Sequence, residues 1–373
     1  MSLQVKSIIS FLDDLAPPST ALPGDPVGLQ LGSPEAHVKK IIVALDPDQG
    51  AVDEASAVGA DMLVTHHPLF YRKLSSINES TTYGALIAAA IRKGLTIYSL
   101  HTNFDVAPKG VTYQLAKTLN LPVEGAEVLE VTAGQQLLKM VVFIPAGHED
   151  KIRNALSEVG AGHIGSYSHC TFQVAGMGTF MPGEGTKPYI GSSGQLEKVD
   201  EIRLETILPT AFRAAALEAL SKVHPYEEAA YDFYPLDLDG KEIGLGLVIN
   251  LEKPVTLDYL LALCRNKLGA DSLRYFNSGS ISFKRIALCG GSGGSIISHA
   301  ARKEADVLIS GDFSYHDLKE AESLGIALID AGHHLTEQPG VIYLCKYLEE
   351  CLKTIDSRVE VCLQARMQSG WSR

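Results

Sequence analysis

Met62-Leu-Val-Thr-His66-His67-Pro68-Leu-Phe70 is an apolar, strand-type run that ends on two consecutive imidazoles. A proline, which continues neither a helix nor a central sheet ladder, stops it. Adjacent residues of an extended chain point to opposite faces, so neighbouring histidines converge only where a strand ends and twists into a loop. The stretch therefore predicts a site at the carboxyl end of a strand, the edge where ligands and metals gather in open α/β sheets. An isolated histidine pair would more simply cap a buried strand and bond to backbone. The rest of the chain decides against that.

Outward from this stretch, strands alternate with helices. A helix over Ser7–Leu15 is closed by Pro17-Pro18, and a turn-rich loop, Ala21 to Gln30, follows it. Lys40–Asp46 reads as a buried strand, Ala51–Val58 as a helix and Asp61–Thr65 as the strand before the histidines. Tyr83–Lys93 is helical, Leu95–Leu100 is a third strand and Val111–Leu119 a further helix. Such alternation implies a parallel sheet with both faces covered. The third strand runs into His101-Thr-Asn-Phe-Asp105, which would place His66, His67, His101 and Asp105 along one sheet edge.

From about Leu137 the texture changes. Strands over Lys139–Pro145, Ser168–Ala175, Glu197–Leu208 and Tyr231–Leu236, with helices over Glu149–Val159 and Thr210–Val223, give a β-α-β-β-α-β order. That order is ferredoxin-like and complete in itself, and a glycine-rich loop is expected from Gly176 to Pro188. A second strand-and-helix series follows, in which Glu304-Ala-Asp-Val-Leu-Ile-Ser310 repeats the pattern of Gly59-Ala-Asp-Met-Leu-Val-Thr65. The expected fold class is α/β: a composite domain of two related βαβ halves, residues 1–130 and 238–373, with an inserted α+β domain at 131–237.

In the second half, the strand Ile326–Asp330 is followed by Ala-Gly-His333-His334-Leu-Thr-Glu337. If a helix starts at His333, the i,i+4 spacing puts His333 and Glu337 on one face. His66, His67, Asp105, His333 and Glu337 then form a candidate metal set, with His101 and His334 near. Imidazole and carboxylate without thiolate suit zinc, iron or manganese. Five ligands are too many for one open catalytic zinc and about right for two divalent ions per chain.

The motifs THHPLF, HTNFDVAPKGV and GHHLTEQPGV, in this order and with an insertion between the halves, resemble the NIF-three-like dinuclear metal-binding family, whose members are often labelled GTP cyclohydrolase one, type two homologues. Within the insert, GMGTFMPGEGTKPYIG and HPYEEAAYDFYPL are similar to the PII or CutA type of domain. The resemblance implies a metal pair on His66, His67, Asp105, His333 and Glu337, a homohexameric toroid, and sites facing its internal cavity. His101 and His334 are candidates to orient a ligand or water. Gly24-Asp25-Pro26 departs from the Trp-Asp-Asn usual in the family at that place, although Asp25 remains.

A metal-dependent hydrolase acting on a nucleotide-like or phosphorylated small molecule is the leading expectation, with His101, Asp312 and His316 as candidate catalytic proton-transfer groups. The rival expectation is a metal-binding regulator or carrier without turnover. Cys289-Gly-Gly-Ser-Gly-Gly-Ser295, between a strand and a helix, is either a phosphate cradle or a tight turn. A net charge of −12 argues against nucleic acid as a partner. No window is apolar for long enough to span a bilayer, and the N-terminus lacks a basic region with a long apolar core. Six cysteines, none in a CxxC pair, give neither a disulfide framework nor a thiolate site. A cytoplasmic protein is expected.

Overall fold

Buried β-branched runs alternating with capped helices give a mixed α/β protein with several sheets, seen in a computed structural model that describes residues 3–134, 136–238, 240, 242–355 and 358–365. The chain divides into two compact units, Met1–Ala133 with Ile243–Arg373, and Gly134–Glu242.

In chain order, the first unit opens with β1 (Leu3–Gln4), α1 (Val5–Leu15), β2 (Gly28–Leu31), β3 (His37–Val38), β4 (Lys40–Ala44), α2 (Gln49–Val58) and β5 (Met62–Thr65). It continues through α3 (Thr82–Arg92), β6 (Thr96–Ser99), α4 (Thr102–Asp105), α5 (Val111–Thr118) and β7 (Glu127–Gly134). The second unit is β8 (Leu137–Pro145), α6 (Glu149–Glu158), β9 (Thr171–Phe180), β10 (Glu197–Pro209), α7 (Arg213–Val223) and β11 (Tyr231–Leu236). The chain returns to the first unit with β12 (Glu242–Val255), α8 (Leu257–Leu268), β13 (Arg274–Phe276), β14 (Phe283–Ser292), α9 (Ile297–Arg302) and β15 (Val307–Gly311). It closes with α10 (Tyr315–Leu324), β16 (Ala327–Asp330), α11 (His333–Thr354) and β17 (Glu360–Leu363).

Two sheets carry the first unit. One has the order β17-β4-β5-β6-β2, parallel except for β2; the other is β13-β16-β15-β14-β12-β7, with β14, β15 and β16 parallel. All four residues of β5 and of β6 are buried, as expected of parallel strands covered on both faces. Helices α5 and α11 pack on each other. Val341, Leu344 and Leu348 of α11 join the apolar cluster on the first sheet, and Leu115 and Leu119 on and just after α5 join that on the second.

The two parallel series are built with the same device. Asp61 Oδ2 accepts from the amides of Lys39 and Lys40 at 2.7 and 3.1 Å, and Asp306 Oδ2 accepts from those of Lys284 and Arg285 at 2.6 and 2.8 Å. Each aspartate precedes a strand and ties the start of its neighbour, so the parallel register is set by one carboxylate in each series.

The second unit keeps the chain order β-α-β-β-α-β, with sheet order β11-β8-β10-β9 and every pair antiparallel. Strand β9 runs on to Phe180, through the first part of the expected glycine-rich loop. Gly178 there meets a crowded neighbour, since a Cβ on it would lie 2.0 Å from Glu201 Oε2 across the ladder. In the first unit, α11 begins at His333 and continues through Pro339 to Thr354.

Replacing Asp61 or Asp306 with alanine removes two charge-assisted backbone hydrogen bonds. Urea denaturation is expected to show a loss of about 1–3 kcal/mol for each, whereas Asp53→Ala, at an exposed position on α2, should stay within roughly 0.5 kcal/mol of the parent.

Candidate metal centre

Strands β5 and β6 are parallel neighbours, so their carboxyl ends deliver His66, His67 and His101 side by side. Strands β15 and β16 do the same for Asp312 and His333. The amides of His66 and His67 still bond to Ala44 and Leu45 carbonyls as the strand ends. The two rings nevertheless converge, with centroids 5.1 Å apart. The His66 ring also stands 5.4 Å from that of His101, and the His67 ring 5.5 Å from that of His333.

Each imidazole is oriented through Nδ1. His66 Nδ1 is 2.8 Å from the Leu100 carbonyl, and the other three rings each meet a carboxylate: His67 with Asp46 at 2.7 Å, His101 with Asp25 at 2.8 Å, His333 with Asp312 at 2.8 Å. A donor to an oxygen at Nδ1 fixes the tautomer and leaves Nε2 free to act as a ligand. Nε2 of His67 and of His333 turn towards the Glu337 carboxylate, at 3.2 and 3.0 Å, and His66 Nε2 lies 3.5 Å from it and 3.6 Å from Asp105 Oδ1.

Helix α11 begins at His333, so Glu337 sits one turn further on the same face. Gly291 makes room for it. A Cβ on that residue would lie 2.5 Å from Glu337 Oε1, and its φ of +74° is in the left-handed region. The other glycines of Cys289–Ser295 are packed as closely: a Cβ on Gly290 would meet Val111 at 2.3 Å and one on Gly293 would meet Ser310 at 2.5 Å. The run is a tight packing device under the site.

Electrostatically, the cluster is a set of imidazoles facing carboxylates. Burial opposes an imidazolium at His67, but the bond to Asp46 and the facing Glu337 carboxylate outweigh it and lift its pKa to about 10. The bond to Glu337 lifts His333 to about 9 against the opposing effect of burial, with Asp312 adding to it. Burial would raise the Glu337 carboxyl, yet the surrounding imidazoles hold it well below the usual range. Asp105 is raised by burial. The Cys289 thiol is pushed far up by burial and by the Asp105 and Glu337 charges.

Whether these residues suit a metal can be judged from their own unmet valences. Among the described residues, five buried side-chain atoms have no hydrogen-bond partner, a rare condition in protein interiors. Three of them, His66 Nε2, Asp105 Oδ1 and Glu337 Oε2, belong to this cluster. Two groups of three side chains bring ligand atoms within 4.8 Å of one another: His66, His67 and His101, and His67, His333 and Glu337. Ligands about 2.1 Å from one ion in a tetrahedron stand roughly 3.4 Å apart, close to the 3.0–3.6 Å separations here. The residues fit a metal centre of nitrogen and oxygen donors.

The profile of the Duf34/NIF3 (NGG1p interacting factor 3) family matches residues 3–368. The chain belongs to that family. It is 39% identical over 330 residues to the GTP cyclohydrolase 1 type 2 homolog of Halalkalibacterium halodurans, covering 88% of each chain. It is also 39% identical over 333 residues to the protein of the same name from Bacillus subtilis, covering 89% of each. Among solved structures, a Bacillus cereus protein related to NIF3 superposes with a TM-score of 0.82 at 36% identity, over 100% of this chain and 99% of that one.

Within this Duf34/NIF3 chain, all five expected ligands lie together, and His101 stands inside the cluster as a member of one candidate group. Asp312 is bonded to His333. His316, on the first turn of α10, is exposed and contacts the Tyr315 ring; among the described residues it has no bond to the cluster. His334 is half-buried and within electrostatic reach of Asp46 and Glu337, and burial lowers its pKa. Asp46 was outside the expected set, although a carboxylate closing the strand next to the His66 strand is a readable signal. Asp25 accepts from His101 Nδ1, from the Thr102 amide at 3.0 Å and from the Thr102 hydroxyl, so the residue kept in the altered loop is the one that grips the site.

The metal-free protein is expected to lose stability in alkali. His67 and His333 are raised to about 10 and about 9 from an ordinary 6.5, so their contribution is complete below about pH 6.5 and is lost as pH rises through 9–10. The depressed Glu337 contributes above about pH 4.5 and loses that on acidification. Thermal melts in a chelator should therefore show Tm falling between pH 6.5 and 10, and melts after incubation with zinc should flatten that fall, because a bound cation replaces the protons.

Proposed function

We propose that this centre holds two divalent ions, drawn from zinc, iron or manganese, and that the protein is a hydrolase of a nucleotide-like or phosphorylated small molecule. The observation that carries the reading is the gathering of two three-residue groups in one cluster, with three partnerless buried ligand-type atoms at His66, Asp105 and Glu337. One ion would be held by residues from the set His66, His101 and Asp105, the other by residues from the set His67, His333 and Glu337. Ions there would supply Lewis acidity and lower the pKa of water at neutral pH.

The chain's own groups divide into a floor and a rim. His66 and Glu337 are 0% and 4% exposed, whereas His67, His101 and His333 are 24%, 19% and 33% exposed. A substrate would therefore approach from the side of the three rim imidazoles. Asp46, Asp25 and Asp312 hold those rings in place, so that little reorganisation is needed when a substrate arrives. Asp312, at 57% exposure, is the acid–base candidate that lies nearest the rim while already touching a ring. The nucleotide-like substrate class is supported by the name shared by the curated relatives.

In the same reading, Gly134–Glu242 is a ferredoxin-like insert of PII or CutA type, supported by its βαββαβ order and by the sheet order β11-β8-β10-β9. The flanking segments are two related halves, supported by the matching roles of Asp61 and Asp306.

Elemental analysis of the purified protein, after incubation with zinc, iron and manganese in turn, is expected to give about two ions per chain. His67→Ala and Glu337→Ala should each lose metal, and a screen over nucleotides and phosphoesters should find turnover in the parent that both variants lack. A parent that holds none of these metals overturns the centre. Two ions without turnover across the screen overturn the hydrolase.

A further inference from the structure

Beside the histidines lies a groove of about 380 Å3, within the roughly 300–1,000 Å3 range of small-molecule sites. Leu69 and Leu86 give it an apolar floor, and Tyr71 and Arg72 stand on its rim. It adjoins the centre at two points. Asp46, which lines the groove, is the carboxylate that holds His67, and the Tyr71 ring stands edge-on to that of His101 with centroids 6.4 Å apart. A molecule lying in the groove therefore has the Asp46 carboxylate between it and His67, and the Tyr71 ring between it and His101.

Three polar side chains of the groove are already committed, whereas the Arg72 guanidinium and the Tyr71 hydroxyl have no hydrogen-bond partner among the described residues. Asp46 is bonded to His67, Asp48 caps α2 through the Ala51 amide at 2.8 Å, and the Tyr83 hydroxyl donates to the Leu69 carbonyl. Arg72 is exposed and makes no hydrogen bond or ion pair among the described residues. Tyr71 is 69% exposed, which leaves its ring available to a ligand. In a chain of net charge −12, an uncommitted guanidinium next to a free aromatic face and an apolar floor matches one ligand chemistry: a planar ring that carries an anionic group.

We propose that this groove is the substrate subsite, with Tyr71 stacking on the planar ring, Arg72 pairing with the anionic group, and the reacting end over His67 and His101. This rests on the reading of the histidine cluster as a hydrolytic metal centre, and it assigns to Tyr71 and Arg72 the binding of parts of the substrate that do not react.

Calorimetric titration of the full chain, incubated with zinc, with guanosine 5′-monophosphate and with guanosine tests it. The parent should bind both, the charged ligand more tightly. Arg72→Met should weaken the monophosphate roughly tenfold or more, as loss of a charge-assisted contact does, and leave guanosine unchanged. Tyr71→Ala should weaken both ligands roughly tenfold. Metal content should match the parent in both variants, which separates a lost contact from a damaged centre. Absence of binding to the parent, or affinities unmoved in both variants, overturns the subsite. A protein that takes up no metal yet shows the predicted pattern overturns the hydrolytic reading and leaves the groove as a binding site.

Discussion

A carboxylate buried among imidazoles is the constraint on which the first unit depends. Glu337 is 4% exposed, and three histidines, two from the end of β5 and one from its own helix, turn ring nitrogens towards it. Placing an ionised carboxylate in that interior is costly unless cations or bonds compensate, and compensation has to come from several segments at once. Strand β5 supplies His66 and His67 and α11 supplies His333. The packing around Glu337 meets a further demand: a side chain at Gly291 would crowd it, because a Cβ there would lie 2.5 Å from Glu337 Oε1. The turn that looked suited to a phosphate is instead shaped by a carboxylate of its own chain.

The same electrostatic logic explains why the imidazoles are held by acids. A ring bonded through Nδ1 to an aspartate is fixed in rotation and is a stronger base at Nε2. Three rings are held so, and the fourth, His66, is fixed by a backbone carbonyl. That difference follows burial. His66 is wholly buried, where an additional carboxylate would need its own compensation, whereas the carboxylate-held rings lie on the accessible rim. Asp312 bears a second cost, since it adopts a φ of +57° that L residues other than Asn and Asp rarely take. Strain held at a site residue of this kind is usually retained for what the side chain does.

How far the sequence carried this depends on the distance over which each relationship acts. His66-His67 at a strand end, and the His-xxx-acid spacing after two other strands, are local patterns, and their convergence follows from parallel strands sharing one carboxyl edge. The helix from His333 and its i,i+4 pairing with Glu337 were legible for the same reason. Asp46 and Asp25 act on histidines 21 and 76 positions away, and no periodicity joins such pairs. Their roles appear only once strand ends and loop are placed. Gly290, Gly291 and Gly293 read as either a phosphate cradle or a tight turn because composition does not say what lies against a glycine. Pro339 lies inside α11: a proline loses one helical bond, and the helix around it is buried between two sheets, where packing outweighs that loss.

The two parallel series also show how one scaffold can serve different ends. Aligned on Asp61 and Asp306, which play the same structural part, the first series places Asp46 where the second places Gly291. One holds an imidazole from behind; the other vacates space for an acid arriving from α11. Likewise the strand that leads to His67 in the first series leads to Asp312 in the second, a ligand-type ring on one side and the acid that orients a ring on the other. Neither series alone assembles both candidate groups, since His66, His67 and His101 come from the first and His333 and Glu337 from the second. The centre exists only where the carboxyl edges of the two sheets meet, with α5 and α11 packed against both. The chemistry is therefore a property of the pairing of the two series, and the cost of burying Glu337 is met at the contact that joins them.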